Sequence, residues 1–406
     1  GTLAPDGRYL YRLTGVDAAG NARTSAPAEV RLDTGETGVL LSAGEKIFSP
    51  NADGVRDTVS VFPRVERPEA VAEYTATIAP AGSDGDTLRR LSGNAVPERL
   101  TWDGFDTAGR RAADGEYRLS LSVRYTNGSV ETASIDGLTV DTTAPTVTIA
   151  ADYTLFSPDG DGRRDTVSIR QNGSSESLWE GMIVDADGET VRSYFWKGEP
   201  ADLTWDGADA AGNVVPNGTY GYQVHSRDAA GNEVSRTLTG LTVDTRDTDV
   251  FITATSDAIS PNGDDYRDDT LIRSYVSLTE GVERWELDIV DVTGAPIRSF
   301  SGETLESRVE FAWDGTTAEG RVVEGEFTPV LTVWYEKGDR PRARGPQILV
   351  DASAPEISVD LDPIPFSPDN DGVDDELSIG LSVSDRSDIA RWRFRILDRT
   401  GAYFNQ

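Results

Sequence analysis

The sequence predicts an all-β chain of tandem two-sheet sandwich domains. Three observations carry this. A set of motifs returns roughly every 105 residues, short segments within each period alternate apolar and polar residues, and no stretch has a convincing helical period.

The repeat is most visible in one acidic loop. FSPNADGVRD at 48–57 returns as FSPDGDGRRD at 156–165, ISPNGDDYRD at 259–268 and FSPDNDGVDD at 366–375. Its serines are Ser49, Ser157, Ser260 and Ser367, and an aspartate ending an apolar run precedes each: Asp33, Asp141, Asp244 and Asp351. Trp-Asp-Gly follows at Trp102, Trp205 and Trp313, and then Gly-x-Tyr or Gly-x-Phe at Tyr117, Tyr220 and Phe327. Solenoid repeats run about 20–50 residues, so this longer period is domain-sized. The expected limits are 1–33 (the end of one domain), 34–141, 142–244 and 245–351 (three whole domains), and 352–406 (the start of another).

Strands account for the interior of each period. In EYRLSLSV, Tyr117, Leu119, Leu121 and Val123 alternate with polar residues, as in a half-buried strand. An earlier strand shows the same alternation at Trp285, Leu287 and Ile289, and at Trp392, Phe394 and Ile396. Its counterparts carry Trp179 with Ile183 and Tyr74 with Ile78. DADG, DVTG and DRTG follow that strand and start hairpins. Regularly spaced short strands of this kind fit a two-sheet sandwich.

Composition narrows the function. Against 38 Lys and Arg stand 70 Asp and Glu, a net charge of −32. Such a field opposes nucleic acid and anionic membranes. Cysteine is absent, so disulfides and thiolate metal sites are excluded. No apolar run of about 18 residues predicts a membrane span.

The motif series I-x-D-x-x-G…R, then WDG-x-D-x-x-G, then G-x-Y resembles the immunoglobulin-like domain of bacterial flagellar hook-cap proteins. The joints VDTTAPTVTI and DAAGN (17–21 and 228–232) resemble tandem repeats of large bacterial surface adhesins, and the SPNGDG-type loops resemble bacterial cell-surface and sorting modules. The resemblance implies immunoglobulin-like or fibronectin III-like sandwiches in an extended array at a bacterial surface or in the periplasm. It also implies that neighbouring repeats of a longer chain are the first partners, with a surface protein or a glycan as a further one.

The acidic loops are the candidate sites. Aligned on a calcium loop of EF-hand type, they offer Asn51, Asp53 and Asp57; Asp159, Asp161 and Asp165; Asn262, Asp264 and Asp268; and Asp369, Asp371 and Asp375. Calcium takes six to eight oxygens, and short side chains two residues apart in a turn can converge on one centre. The loops depart from an EF-hand at position 1, which is serine, and at position 12, which is Ser60, Ser168, Leu271 or Ser378 instead of a bidentate glutamate. A calcium ion would therefore need carbonyls, water or another carboxylate. The competing explanation is a turn, with proline setting φ and Asn or Asp capping its own backbone. Linker aspartates sharing a cation with DAAGN across a joint form a second candidate. The third repeat, with EKGDRPRARG in place of DAAGN, would lack that site.

The Trp-Asp-Gly tryptophans read as core, as do Trp179, Trp285 and Trp392, and the recurring tyrosine reads as a tyrosine corner. Trp196 and Trp334 have no counterparts; packing is their expected role, with sugar stacking as the alternative. Lys337, Arg340, Arg342 and Arg344 read as a solvated basic hairpin, with docking of an acidic neighbour as the alternative. His225 is the single histidine and no nucleophile-elbow motif accompanies it. The expected role is a non-catalytic, calcium-supported structural stalk. The alternative is an accessory carbohydrate-binding region of a secreted glycan-active enzyme.

Overall fold

A computed structural model describes residues 4–83 and 86–405. They form an all-β fold in two compact units. The first comprises Gly1–Ala151, Ile169–Leu203 and Gly221–Thr239, the second Asp152–Ser168, Thr204–Tyr220 and Gly240–Gln406. Among the described residues no helix is long and apolar enough to cross a membrane.

In the first unit, one sandwich shows the plan. A three-stranded sheet places Val59–Val65 between Leu100–Trp102 and Val39–Ala43. The facing sheet runs in the order Ile47–Phe48, Val130–Val140, Gly115–Tyr125, Val71–Pro80 and Arg89–Gly93. The predicted alternation of Gly115–Tyr125 is realised: Tyr117, Leu119, Leu121 and Val123 are buried against Val59, Val61 and Ile78. The same pairings recur downstream, where Val147–Ala151 runs antiparallel to Val167–Gly173 and Glu176–Val184 lies between Thr190–Gly198 and Gly218–Arg227. Two small hairpins, Gly7–Tyr11 with Ala28–Leu32 and Thr14–Val16 with Ala22–Thr24, precede them.

In the second unit, a three-stranded sheet centred on Thr270–Val276 faces a six-stranded one. That larger sheet contains Gly325–Tyr335 between Val282–Val290 and Ile348–Val350. Leu287, Ile289, Leu331 and Val333 are fully buried between the sheets. Farther on, Glu356–Asp362 and Ser378–Ser384 form a two-stranded sheet.

The core tryptophans explain why two motifs recur together. Trp102, Trp205 and Trp313 are 1%, 0% and 1% exposed. Each indole N–H donates to a carbonyl three residues on, that of Phe105, Ala208 or Thr316 (3.1, 3.0 and 3.0 Å), which satisfies the only polar atom that burial would strand. Phe48 and Phe156 of the acidic loops pack edge-on against Trp102 and Trp205 at 5.4 and 5.5 Å. The glycine of Trp-Asp-Gly lies against the loop proline: a Cβ on Gly104 would come 2.6 Å from Pro50, and one on Gly207 2.7 Å from Pro158. Phe-Ser-Pro and Trp-Asp-Gly are thus two halves of one packing unit.

The tyrosine corner is also formed. Tyr117 and Tyr220 donate to the carbonyls of Ala113 and Pro216, both at 2.7 Å, and Phe327 keeps only the ring contact with Trp313. Trp179 and Trp285 are buried as expected, whereas Trp392 is 65% exposed. It lines an open cleft with Ile357, Val359, Leu381 and Val383 of the sheet formed by Glu356–Asp362 and Ser378–Ser384.

Candidate functional site: the acidic loops and the turns they meet

Each acidic loop is wound around its last aspartate. Asp57 accepts from the backbone N–H groups of Ala52 and Gly54, Asp165 from Gly160 and Gly162, and Asp375 from Asn370 and Gly372. Asp268 accepts three, from Asn262, Gly263 and Asp265. Two further side chains form Asx turns, with Asn51 accepting from Asp53 N–H and Asp53 from Val55 N–H. Asp159 with Asp161, Asn262 with Asp264, and Asp369 with Asp371 repeat this. This is the physical content of the turn reading, because short acidic side chains replace missing backbone partners.

The loop also makes a contact that has no local signature in the sequence. In the first unit, loop 48–57 meets the turn 228–232, with Ser49 and Asn232 183 residues apart along the chain. Ser49 Oγ donates to Asn232 Oδ1 at 2.7 Å, and both residues are buried. Asn232 Nδ2 donates to the carbonyl of Asp141 (3.0 Å) and to Asp228 (2.9 Å). Arg56 reaches the carbonyl of Ala229. Gly231 has φ +100°, and a Cβ there would lie 2.9 Å from Val55.

In the second unit, loop 156–165 meets the turn 335–339 in the same manner. Arg164 reaches the carbonyl of Glu336, and a Cβ on Gly338 (φ +112°) would lie 2.8 Å from Arg164. Both turns close with the same backbone bonds: Asp228 N–H to Asn232 O and Gly231 N–H to Asp228 O in one, Tyr335 N–H to Asp339 O and Gly338 N–H to Tyr335 O in the other. EKGD is therefore the counterpart of DAAGN. The third whole repeat thus keeps the turn without the letters DAAGN, since the backbone needs glycine and not the flanking residues.

Asn232 and Asp339 occupy equivalent places. Asp339 is 4% exposed. Its Oδ2 receives Lys337 Nζ at 3.0 Å and Thr248 Oγ1 at 3.1 Å. Lys337 is itself 2% exposed, and it also donates to the carbonyls of Asp244 and Arg246. The reading of Lys337 as a solvated charge is thus overturned, because its three N–H donors are used inside the protein.

Two sets of three carboxylates lie within 4.8 Å of one another among the described residues: Asp159, Asp161 and Asp339, and Asp369, Asp371 and Asp375. The second is one of the loop sets expected from sequence. The first exchanges the expected Asp165, which faces backbone N–H groups, for Asp339. Desolvation, followed by repulsion from Asp159, Asp339 and Asp165, holds the Asp161 carboxyl above its usual range.

The linker aspartates have protein partners. Asp33 forms a two-point ion pair with Arg67 (2.9 and 3.1 Å), which lowers its pKa. Arg246 binds Asp244 at 3.0 and 2.8 Å and lowers it likewise. Asp351 accepts from the N–H groups of Ser353 and Ser387. The backbone N–H groups of Asp141, Asp244 and Asp351 donate to the carbonyls of Phe48, Phe156 and Ile259.

The remaining candidates are occupied by neighbours. The guanidinium groups of Arg284 and Arg340 lie over the Trp334 ring, at 3.5 and 4.4 Å from its centroid. Trp196 lies over Gly181, where a Cβ would come 2.8 Å from the indole, and stacks with Tyr194. His225 pairs with Glu180 at 3.2 Å.

Residues 156–231 match the FlgD Ig-like domain. The matched span begins at the loop phenylalanine, takes in Trp-Asp-Gly and Gly-x-Tyr, and ends in the DAAGN turn. A search of curated protein sequences finds no match. Among solved structures, the chain is similar to a tetra-tandem repeat in the extending region of a large adhesion protein. The identity is 18%, with 86% of this chain and 82% of that chain covered and a TM-score of 0.32. It is also similar to a structure concerned with host cell surface retention of a 1.5-MDa bacterial ice-binding adhesin. There the identity is 17%, the coverage 79% and 100%, and the TM-score 0.33.

Proposed function

We propose that this chain is a non-catalytic structural segment of a large bacterial cell-surface or periplasmic protein. It is a stalk of immunoglobulin-like repeats whose acidic loops serve as couplings between consecutive repeats. The observation that carries this reading is the recurrent seating of one repeat's loop on a later turn, through Ser49, Arg56 and Asn232 in one case and Arg164 and Gly338 in the other. A contact that includes buried hydrogen bonds and glycines without room for a side chain resists hinge motion. The excess of acidic residues keeps such a chain soluble when much of its surface is exposed.

Calcium is the finer part of the proposal. Support for ions within single loops is greatest at Asp369, Asp371 and Asp375, whose carboxylates converge. The glycan-binding alternative draws no support from Trp196 or Trp334, which lie against their own chain.

Small-angle X-ray scattering of the purified chain tests the stalk. The expected pair-distance distribution has a repeat-width peak and a long tail. A single symmetric peak, as from a compact globule, would overturn it.

A further inference from the structure

The two turn contacts differ at two side chains, and the difference points to a ligand. At the first, Asn232 supplies both a donor and an acceptor. Nδ2 binds the linker carbonyl of Asp141, while Oδ1 accepts from Ser49 and, at 3.4 Å, from Asn51. Every polar atom of that side chain is satisfied by the protein.

At the second contact the amides have become carboxylates. Asp159 stands where the first loop has Asn51, and Asp339 where the first turn has Asn232. Asp339 lacks an amide donor, and Lys337 takes over the bond to the linker, donating to Asp244 O at 3.3 Å. Ser157 Oγ no longer crosses to the turn and donates instead to Asp159 at 3.2 Å. Asp339 Oδ1 is consequently buried without a hydrogen-bond partner among the described residues. The three N–H donors of Lys337 are already engaged by Asp244 O, Arg246 O and Asp339 Oδ2. A buried, unpartnered carboxylate oxygen beside two more carboxylates is strongly unfavourable unless a cation completes it.

We propose that Asp159, Asp161 and Asp339 form a calcium site shared between the loop 156–165 and the turn 335–339, and that the equivalent contact at Ser49 and Asn232 works without metal. The spacing suits this. Ligands at about 2.3–2.6 Å from one ion stand at most about 5 Å apart, and these oxygens lie within 4.8 Å of one another. An all-oxygen, carboxylate-rich set selects a hard cation, and calcium tolerates the irregular geometry that magnesium does not. Asp159 and Asp339 also line an open cleft of about 410 Å³ whose other charged residues are Asp247, Asp249, Arg246 and Arg342, four carboxylates to two guanidinium groups in all, which gives the ion and its waters access. The inference rests on the loop–turn contact that carries the stalk reading, and it assigns Asp159 and Asp161 to an ion shared with Asp339 instead of one held within the loop alone.

Calcium titration of the chelator-stripped chain by calorimetry, with Asp339→Asn, Asn232→Asp and Asp371→Asn variants, tests it. Asn232 shows that an amide is compatible with this turn, so Asp339→Asn is expected to fold, with circular dichroism as the check. The expected result is that Asp339→Asn removes one equivalent of bound calcium or weakens one site at least tenfold, and abolishes its share of the calcium-induced rise in Tm. Asn232→Asp should leave that site intact. Asp371→Asn should affect only an ion in loop 366–375, which separates the two kinds of site. Unchanged calcium stoichiometry and affinity in Asp339→Asn, or no calcium binding by the parent chain at millimolar concentration, would overturn the proposal.

Discussion

At the residue scale, the side chains that matter most are those with one polar atom to satisfy in an apolar place. Trp205 is fully buried, touches Phe156 and Tyr220 edge-on at 5.5 and 5.3 Å, and spends its single N–H on Ala208 O. Trp205→Ala should cost about 3–5 kcal/mol through lost burial and an unfilled cavity, measured by chemical denaturation. Tyr220→Phe removes the corner hydrogen bond, so about 1 kcal/mol is expected, and Phe327 shows that the fold accepts the change. Asp33 carries a pH dependence. Its hydrogen bonds to Arg67 hold its folded pKa below the ordinary 3.8, so its stabilisation is present above that value and lost as pH falls through the depressed one. Asp33→Asn should flatten the acid limb of the Tm–pH profile, and an unchanged limb would refute the role.

At the element scale, the loops and turns show where local sequence is informative. Period-2 alternation, the Trp-Asp-Gly turn and the recurring loop were all legible, because each is set by residues within about ten positions of one another. The partner of the loop was not. Ser49 and Asn232 meet through the packing of separate sheets, and no local pattern encodes that contact. EKGD did not read as DAAGN, because the turn depends on a backbone with glycine at φ +112° rather than on side chains. Nor could a run of four basic residues reveal which one is buried: Lys337 is, while Arg342 and Arg344 are exposed. Gly231→Ala follows from this geometry. It forces a Cβ against Val55 at an unfavourable φ, at a cost of order 1–3 kcal/mol. The change should loosen the loop–turn contact, read as faster hydrogen exchange at 228–232, while the cores stay protected.

At the scale of the whole molecule, a repeated acidic loop serves three purposes. Its Phe and Pro complete a core under Trp-Asp-Gly, its last aspartate closes the loop, and in the first two copies its arginine, joined in the first by Ser49, engages a later turn. The central claim is that this last contact couples repeats energetically. A double-mutant cycle on Ser49→Ala and Asn232→Ala tests it most directly, with stability read from calorimetric unfolding of the full chain. The account predicts a coupling of about 0.5–1.5 kcal/mol, the usual net worth of a buried neutral hydrogen bond. Strictly additive effects, with a coupling of zero, would contradict it.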